Sequence, residues 1–190
     1  ALKGDTSGEV FLLADVAMES PLVDGEGYNV LAREGVTWIA GALDRPDSLA
    51  ELAAGSDVVM HIGGVVNVPT RAAFEAGNAT ATRHVVDAAR AAGVTRFVHV
   101  SSLAAREPDL SDYGWSKARA EVIVRDSGLD WTIVRPPAVF GPGDTEMLDL
   151  FRMARRGIAL LPPRGRMSAI YVDELARLLV ALAADRDASV

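Results

Sequence analysis

A serine, a tyrosine and a lysine in the middle of the chain have the types and spacing needed for proton transfer to a substrate oxygen. Ser102 follows an apolar run, and Tyr113 comes eleven residues later, four residues before Lys117. Side chains four apart on a helix lie on one face, one turn apart. A nearby ammonium favours the phenolate form of a tyrosine. Tyr113 can then exchange a proton near neutral pH while the Ser102 hydroxyl binds the same oxygen.

The alternative interpretation is that these residues are structural. Tyr113 would then begin a helix and Lys117 would be a solvated charge, a pattern that arises often by chance. Of the two adjacent serines, we assign Ser101 to the turn and Ser102 to the site.

The three histidines are assigned to structure rather than to chemistry. His61 and His99 lie within apolar runs, where a histidine packs in the core, and His84 lies in a predicted helix. Their spacing matches no metal-ligand pattern, and the chain has no cysteine. We therefore predict no metal site.

The elements that must position these residues alternate between short apolar runs and alanine-rich amphipathic stretches. Strands that are apolar on both faces are typical of a parallel sheet covered by helices on each side, so the pattern predicts a doubly wound, Rossmann-like α/β fold. The predicted strands are residues 1–3, 28–32, 36–40, 57–62, 95–100 and 131–134. The predicted helices are residues 10–18, 46–54, 71–92, 113–127, 146–156 and 172–184.

Composition limits the class of protein. The 190 residues are 49% hydrophobic and 24% charged, as in a globular protein with a buried core. A net charge of −7 argues against a broad nucleic-acid-binding face. The chain shows no apolar run long enough for a membrane span and no signal peptide, which predicts a cytoplasmic protein without membrane contact.

Two units are expected along the chain. We predict a dinucleotide-binding domain over residues 1–140 and a partial substrate-binding lobe over 141–190, where prolines and glycines loosen the pattern. The strand-like start and the short second lobe lead us to expect further residues before Ala1 and after Val190.

Several motifs, in family order, resemble the extended short-chain dehydrogenase/reductase superfamily, the group that contains NAD(P)-dependent epimerases and dehydratases. Ser102, Tyr113 and Lys117 resemble its active site. The other matching segments are residues 59–64, 78–82, 133–144 and 170–176. The resemblance therefore covers most of residues 57–184.

This resemblance implies hydride transfer between a bound nicotinamide and a carbonyl or alcohol of a small-molecule substrate. Tyr113 would exchange the hydroxyl proton, and Ser102 would orient the substrate oxygen. Lys117 would assist the tyrosine and hold the nicotinamide ribose. Asn78 would support the site from a neighbouring helix. Members of this family commonly form dimers, so the resemblance also leaves a homodimer open.

The implied cofactor site is altered at the glycine loop that the family places between its first strand and helix. Gly4 and Thr6 match that loop. Ser7 replaces its second glycine, and Gly8 comes one position late. Arg33 ends a predicted strand where an arginine suits the 2′-phosphate, which favours NADP over NAD. The expected cofactor-binding residues are Gly4, Thr6, Ser7, Gly8, Arg33, Leu43, Ile62, Gly63, Gly64, Tyr113, Lys117, Pro136 and Val139.

The sequence favours an NAD(P)-dependent oxidoreductase over two alternatives. The connection between Ser102 and Tyr113 is short, whereas nucleotide-sugar epimerases and dehydratases of the family carry a longer insert. The altered glycine loop keeps a non-catalytic dinucleotide sensor or scaffold as the alternative of another class. The intact serine, tyrosine and lysine favour an enzyme, because a scaffold has no physical need for them.

Overall fold

A four-stranded parallel sheet forms the centre of the molecule. The computed structural model describes residues 10–13, 41–142, 144, 148–158 and 167–185. Within them the sheet has the order β1-β2-β3-β4, with all neighbouring pairs parallel. Its strands are β1 Val10–Leu13, β2 Val58–His61, β3 Arg96–Val100 and β4 Asp130–Val134. The carboxyl ends of these strands meet at one edge, where ligands of such sheets bind.

Helices and short turns connect the strands. The helices are α1 Pro46–Ala53, α2 Arg71–Phe74, α3 Ala81–Ala91, α4 Asp112–Arg125, α5 Leu148–Arg155 and α6 Val172–Ala184. A π-helical segment, Glu75–Thr80, joins α2 to α3, and two 3₁₀ turns, Leu103–Arg106 and Pro108–Leu110, lie between β3 and α4. A second, two-stranded parallel sheet pairs β5 Ala138–Phe140 with β6 Ala169–Tyr171.

Apolar clusters cover both faces of the main sheet. Alternate residues of a strand point to opposite faces, and on β3 Phe97 packs with α3 and α4 while Val98 packs with α6. Leu175 and Leu179 of α6 belong to that second cluster. Burial on both faces explains why the strands read as continuous apolar runs. The doubly wound α/β prediction is confirmed.

The predicted elements over residues 46–134 and the last two helices are confirmed to within a few residues. The helix predicted over 10–18 is wrong at Val10–Leu13, which forms β1 beside β2. A short apolar run of β-branched and aromatic residues cannot be told from a buried helix by periodicity alone. The strands predicted at 1–3, 28–32 and 36–40 lie outside the described residues.

The division of the chain at residue 140 stays a prediction. Helix α6, which falls in the predicted second lobe, packs against the main sheet through Leu175, Leu179 and Ala183. None of the helices in the described ranges combines the length and the apolarity that a bilayer crossing requires.

The buried side of α4 is expected to carry most of that helix's contribution to stability. Val124 is 0% exposed in the first cluster, whereas Val122 on the same helix is 52% exposed. Val124→Ala should lower the free energy of unfolding by about 2 kcal/mol. Val122→Ala, which changes helix propensity identically, should change it by less than about 0.5 kcal/mol. Urea denaturation of both variants measures the difference, and equal values would contradict this packing.

Candidate active site

Helix α4 places Lys117 across the carboxyl end of β3. The helix begins where the Ser111 hydroxyl accepts a hydrogen bond from the Gly114 backbone N–H at 3.0 Å, an N-terminal cap. Two turns of helix bring the Lys117 ammonium to the Val100 carbonyl, to which it donates at 2.9 Å. Lys117 is only 5% exposed. The interpretation of this lysine as a solvated charge is therefore wrong.

Ser102 is held beside the first turn of α4. Its hydroxyl oxygen accepts a hydrogen bond from the Ala104 N–H at 3.2 Å, which leaves the hydroxyl hydrogen for another acceptor. A Cβ added at Gly114 would lie 2.7 Å from the Ala104 carbonyl oxygen, so α4 packs tightly on this turn. The next residue back, Tyr113, has its ring centroid 6.1 Å from that of Phe74.

Asn78 connects the loop after β2 to the first turn of α4. Its side-chain nitrogen donates to the Val65 carbonyl at 3.0 Å and to the Ser116 hydroxyl at 2.8 Å. Its side-chain oxygen accepts from the Val65 N–H at 2.8 Å. The Ser116 hydroxyl in turn donates to the Tyr113 carbonyl at 2.8 Å. Asn78 therefore acts on Tyr113 through its neighbours, from a π-helical segment of the kind often found at functional sites.

Gly64 brings the backbone after β2 against these side chains. Its backbone φ of +152° lies in a region that residues other than glycine rarely adopt. A Cβ added there would lie 2.6 Å from the Asn78 side-chain oxygen and 3.8 Å from the Lys117 ammonium. The loop that carries Ile62, Gly63 and Gly64 thus borders the two predicted site residues directly.

The remaining predicted cofactor residues are spread over the molecule. Leu43 is buried in the first apolar cluster, and its carbonyl lies 2.8 Å from the His84 Nδ1. Pro136 is buried after β4, where its carbonyl accepts from the Leu103 N–H at 2.9 Å. Val139 packs against the second cluster. Asn78 and Lys117 thus lie close to Gly64, and Asn78 reaches the Tyr113 backbone through Ser116. Ser102 lies on the turn that packs against α4, whereas Leu43 lies in the core. The joint role of Ser102, Tyr113 and Lys117 stays a prediction.

The altered glycine loop is not among the described residues. Gly4, Thr6, Ser7, Gly8 and Arg33 all lie outside them, and their cofactor-binding role stays a prediction. The first four precede β1 in the chain, whereas the family's loop follows its first strand.

Two buried histidines lie beneath Lys117. His61 and His99, paired in register on β2 and β3, have ring centroids 5.2 Å apart and are at most 1% exposed. The His61 Nε2 lies 3.1 Å from the Thr82 hydroxyl, which donates to the Asn78 carbonyl at 2.7 Å. Burial, aided by the Lys117 charge, lowers the pKa of His61 to about 3 and that of His99 well below 6.5. Both are core histidines, as predicted.

Burial also changes the titration of Lys117. It lowers the pKa of the ammonium from 10.5 to about 8, while the charge of Glu121 acts in the opposite direction. A lysine of this kind is mostly charged at pH 7 and loses its proton just above that pH. Such an amine can support proton exchange near neutral pH.

Sequence reasoning missed Ser116, which links Asn78 to Tyr113, and the packing role of Gly114. Both lie between Tyr113 and Lys117, but spacing alone says nothing of contacts with the loops after β2 and β3. Within the described ranges, no group of three or more His, Cys, Asp or Glu side chains is arranged to hold a metal ion.

The buried histidines should make the protein acid-sensitive. The unfolded chain protonates each histidine near pH 6.5, but the folded protein keeps His61 neutral down to about pH 3. Protons therefore favour the unfolded state, and the free energy of unfolding should fall as pH drops below 6.5. His61→Gln should remove about 1.4 kcal/mol per pH unit from that slope. Urea denaturation between pH 7 and pH 4 measures it; identical slopes would contradict a neutral buried His61.

A family model described as NAD(P)H-binding matches residues 26–186, a range that begins after Gly8 and contains all the described site residues. Ceramide reductase of Caulobacter vibrioides is 44% identical over 145 residues, 75% of this chain and 45% of that protein. The 4-hydroxy-2-methyl-3-oxo-4-farnesyl-3,4-dihydroquinoline-1-oxide ketoreductase of Stigmatella aurantiaca is 32% identical over 145 residues, 64% and 43% of the two chains. The chain thus spans less than half the length of these relatives.

Solved structures show the same fold. The Bordetella bronchiseptica enzyme WbmH, in complex with NAD⁺, superimposes with a TM-score of 0.73 at 21% identity, covering 90% of this chain and 62% of that one. A dTDP-glucose 4,6-dehydratase of Streptomyces venezuelae with NAD bound superimposes with a TM-score of 0.65 at 23% identity, covering 77% of this chain and 54% of that one. This fold and the match over most of the sequence identify the chain as a member of the NAD(P)H-binding family.

Proposed function

We propose that this chain is the cofactor-binding and catalytic part of an NAD(P)H-dependent carbonyl reductase, with Ser102, Tyr113 and Lys117 acting on the reacting oxygen. The buried Lys117 ammonium, held on the end of β3 one turn from Tyr113, carries this proposal. A buried charge is costly, and a buried lysine at a ligand-binding edge of the sheet is readily explained by a functional role.

The residues around Lys117 fit a nicotinamide nucleotide. An ammonium has three N–H groups, and in the described ranges one of them donates to Val100. The others are available to ribose hydroxyls. Gly64 carries no Cβ, so the backbone after β2 can lie against the Asn78 side chain and close to the Lys117 ammonium. The nicotinamide, when bound, supplies the hydride.

The chain's own residues would then move the proton and orient the substrate. The Tyr113 hydroxyl gives its proton to the substrate carbonyl oxygen as the carbon accepts the hydride, so that C=O becomes CH–OH. The Ser102 hydroxyl hydrogen, free of the Ala104 bond, holds the same oxygen. Asn78 fixes the first turn of α4 through Ser116 and keeps Tyr113 in place.

Two observations support a reductase of substrates with an apolar chain. The short connection from Ser102 to Tyr113 exposes Leu103 and Leu110, which are 38% and 81% exposed. The relatives named above are a ceramide reductase and a ketoreductase of a farnesylated quinoline oxide, and both named substrates are lipid-like. Ketones with a long alkyl chain are therefore the first substrates to assay.

Replacing the tyrosine tests the catalytic assignment. Tyr113→Phe keeps the ring against Phe74 but removes the proton, and should lower the rate of ketone-dependent NAD(P)H oxidation by roughly 10²–10⁴-fold. Cofactor affinity, followed by NAD(P)H fluorescence, should be unchanged. Tyr171→Phe in β6 is the matched control and should retain the activity. Full turnover in Tyr113→Phe would refute the assigned role, and cofactor binding without turnover of any ketone would favour a sensor.

Arg33 provides a test of cofactor choice. If its guanidinium binds the 2′-phosphate, the protein should bind NADPH more tightly than NADH, because hydrogen bonds to charged groups are worth about 1.5–3 kcal/mol. Arg33→Ala should then weaken NADPH binding about tenfold or more and leave NADH binding unchanged. Arg45→Ala, which removes an exposed arginine at the start of α1, should leave the ratio as it is. Fluorescence titration with both nucleotides gives the ratio, and equal affinities in the unmodified protein would contradict the NADP preference.

A further inference from the structure

A buried carboxylate lies one helical turn beyond Lys117, and the proposed mechanism does not use it. Glu121 is 1% exposed, and an ionised carboxylate is costly to bury unless it is paired and hydrogen-bonded. Its Oε1 accepts from the Ser101 hydroxyl at 2.6 Å and from the Arg135 Nε at 2.7 Å. Its Oε2 accepts from the guanidinium groups of Arg125 at 2.7 Å and Arg135 at 2.5 Å.

These partners come from three different elements. Ser101 directly follows β3 and directly precedes Ser102. Arg135 directly follows β4 and binds both carboxylate oxygens, the two-point geometry that orients a planar guanidinium. Arg125 lies on α4 itself and is partly exposed. Through Ser101 and Arg135, Glu121 therefore ties the carboxyl ends of two strands to the helix that carries Tyr113.

Ser102 lies between the ends of β3 and β4, the two strand ends that Glu121 connects to α4. The Ser101 N–H donates to the Val134 carbonyl at 2.7 Å, and the Leu103 N–H donates to the Pro136 carbonyl at 2.9 Å. Ser102 thus sits between two backbone bonds to the segment that contains Arg135. A movement of Arg135 would shift Ser102 relative to Tyr113, since one lies on this strand edge and the other on α4.

Among the titratable groups in the described part of the chain that interact with Lys117, Glu121 is the one that stabilises its positive charge. His61 from β2 and His99 from β3 are neutral near pH 7, because burial lowers the pKa of both. Glu121 from α4 is the oppositely charged neighbour, one turn away. Burial alone would raise the pKa of Glu121, but hydrogen bonds from Arg135 and Ser101 and the nearby arginine charges lower it, so the carboxyl stays ionised.

We propose that Glu121 is a positioning residue of the active site, which fixes Ser102 relative to α4 through Ser101 and Arg135 and keeps Lys117 charged at working pH. This inference rests on the proposed reductase function for its kinetic consequences. Its electrostatic part concerns Lys117 alone and does not depend on turnover.

The lysine content of the chain allows a direct measurement. The sequence contains two lysines, Lys3 and Lys117, so NMR of protein labelled with ¹³C at the lysine Cε shows few signals to assign. In the unmodified protein Lys117 should titrate with a pKa of about 8. Glu121→Gln keeps the side-chain shape but removes the charge, and should lower that pKa by roughly one unit. The alkaline limb of the kcat profile should move by the same amount, with little change in KM.

Matched variants separate charge from shape. Asp126→Asn removes an exposed negative charge just after α4 and should leave the Lys117 titration unchanged. Glu121→Asp restores the charge and should restore the titration. Arg135→Lys keeps a positive charge but loses the two-point contact, and should lower kcat about tenfold or more while the Lys117 pKa stays near 8.

The results that overturn the proposal are distinct from those that overturn the reductase function. An unchanged Lys117 pKa in Glu121→Gln refutes the electrostatic role, even if Tyr113→Phe is inactive as expected. If Glu121→Gln does not fold, full kcat in Arg135→Lys refutes the positioning role. If no ketone is ever reduced, the Lys117 titration in the Glu121 variants still decides whether this carboxylate sets the charge of the lysine.

Discussion

The hydrogen bond from the Lys117 ammonium to the Val100 carbonyl is the contact around which the candidate site is organised. It fixes α4 against the carboxyl end of β3, with the cation inside the protein instead of in solvent. The groups next to this cation are therefore neutral, small or negatively charged. The neighbouring histidines stay neutral, Gly64 comes close without a side chain, and the carboxylate of Glu121 balances the charge from one turn further along.

The site also shows how a parallel sheet brings distant residues together. Ser102 follows one strand, Gly64 follows its neighbour, and the helix between β3 and β4 supplies Tyr113 and Lys117. Ser102 caps a 3₁₀ turn, and Gly64 has a positive φ. The helix that carries Tyr113 and Lys117 begins at a capped N-terminus. The elements that carry them meet at one edge of the sheet, and the hydrogen bonds of Asn78 and Glu121 connect these elements.

The central sheet and its helices could be predicted from the sequence because their apolar patterns are long and regular. The pattern fails at three of the short elements. Four residues at Val10–Leu13 were assigned to the wrong type, and the three-residue strands β5 and β6 were missed. Ser102, Tyr113 and Lys117 can be named as catalytic candidates because they are close in sequence. The supporting contacts of Ser116, Glu121 and Arg135 join segments that are distant in the chain, and no local spacing indicates them.

The π-helical segment Glu75–Thr80 affects how the chain compares with its relatives. A wide turn accommodates one more residue than an α-helical turn does, and here two consecutive residues, Asn78 and Ala79, are both buried within it. The stretch 71–92 reads as one amphipathic helix in the sequence, and Phe74, Thr82 and Val85 are buried on either side of the wide turn. An alignment with a homologue that lacks the wide turn would need a one-residue gap inside the helix, and an ungapped alignment would pair Asn78 with a residue on another face.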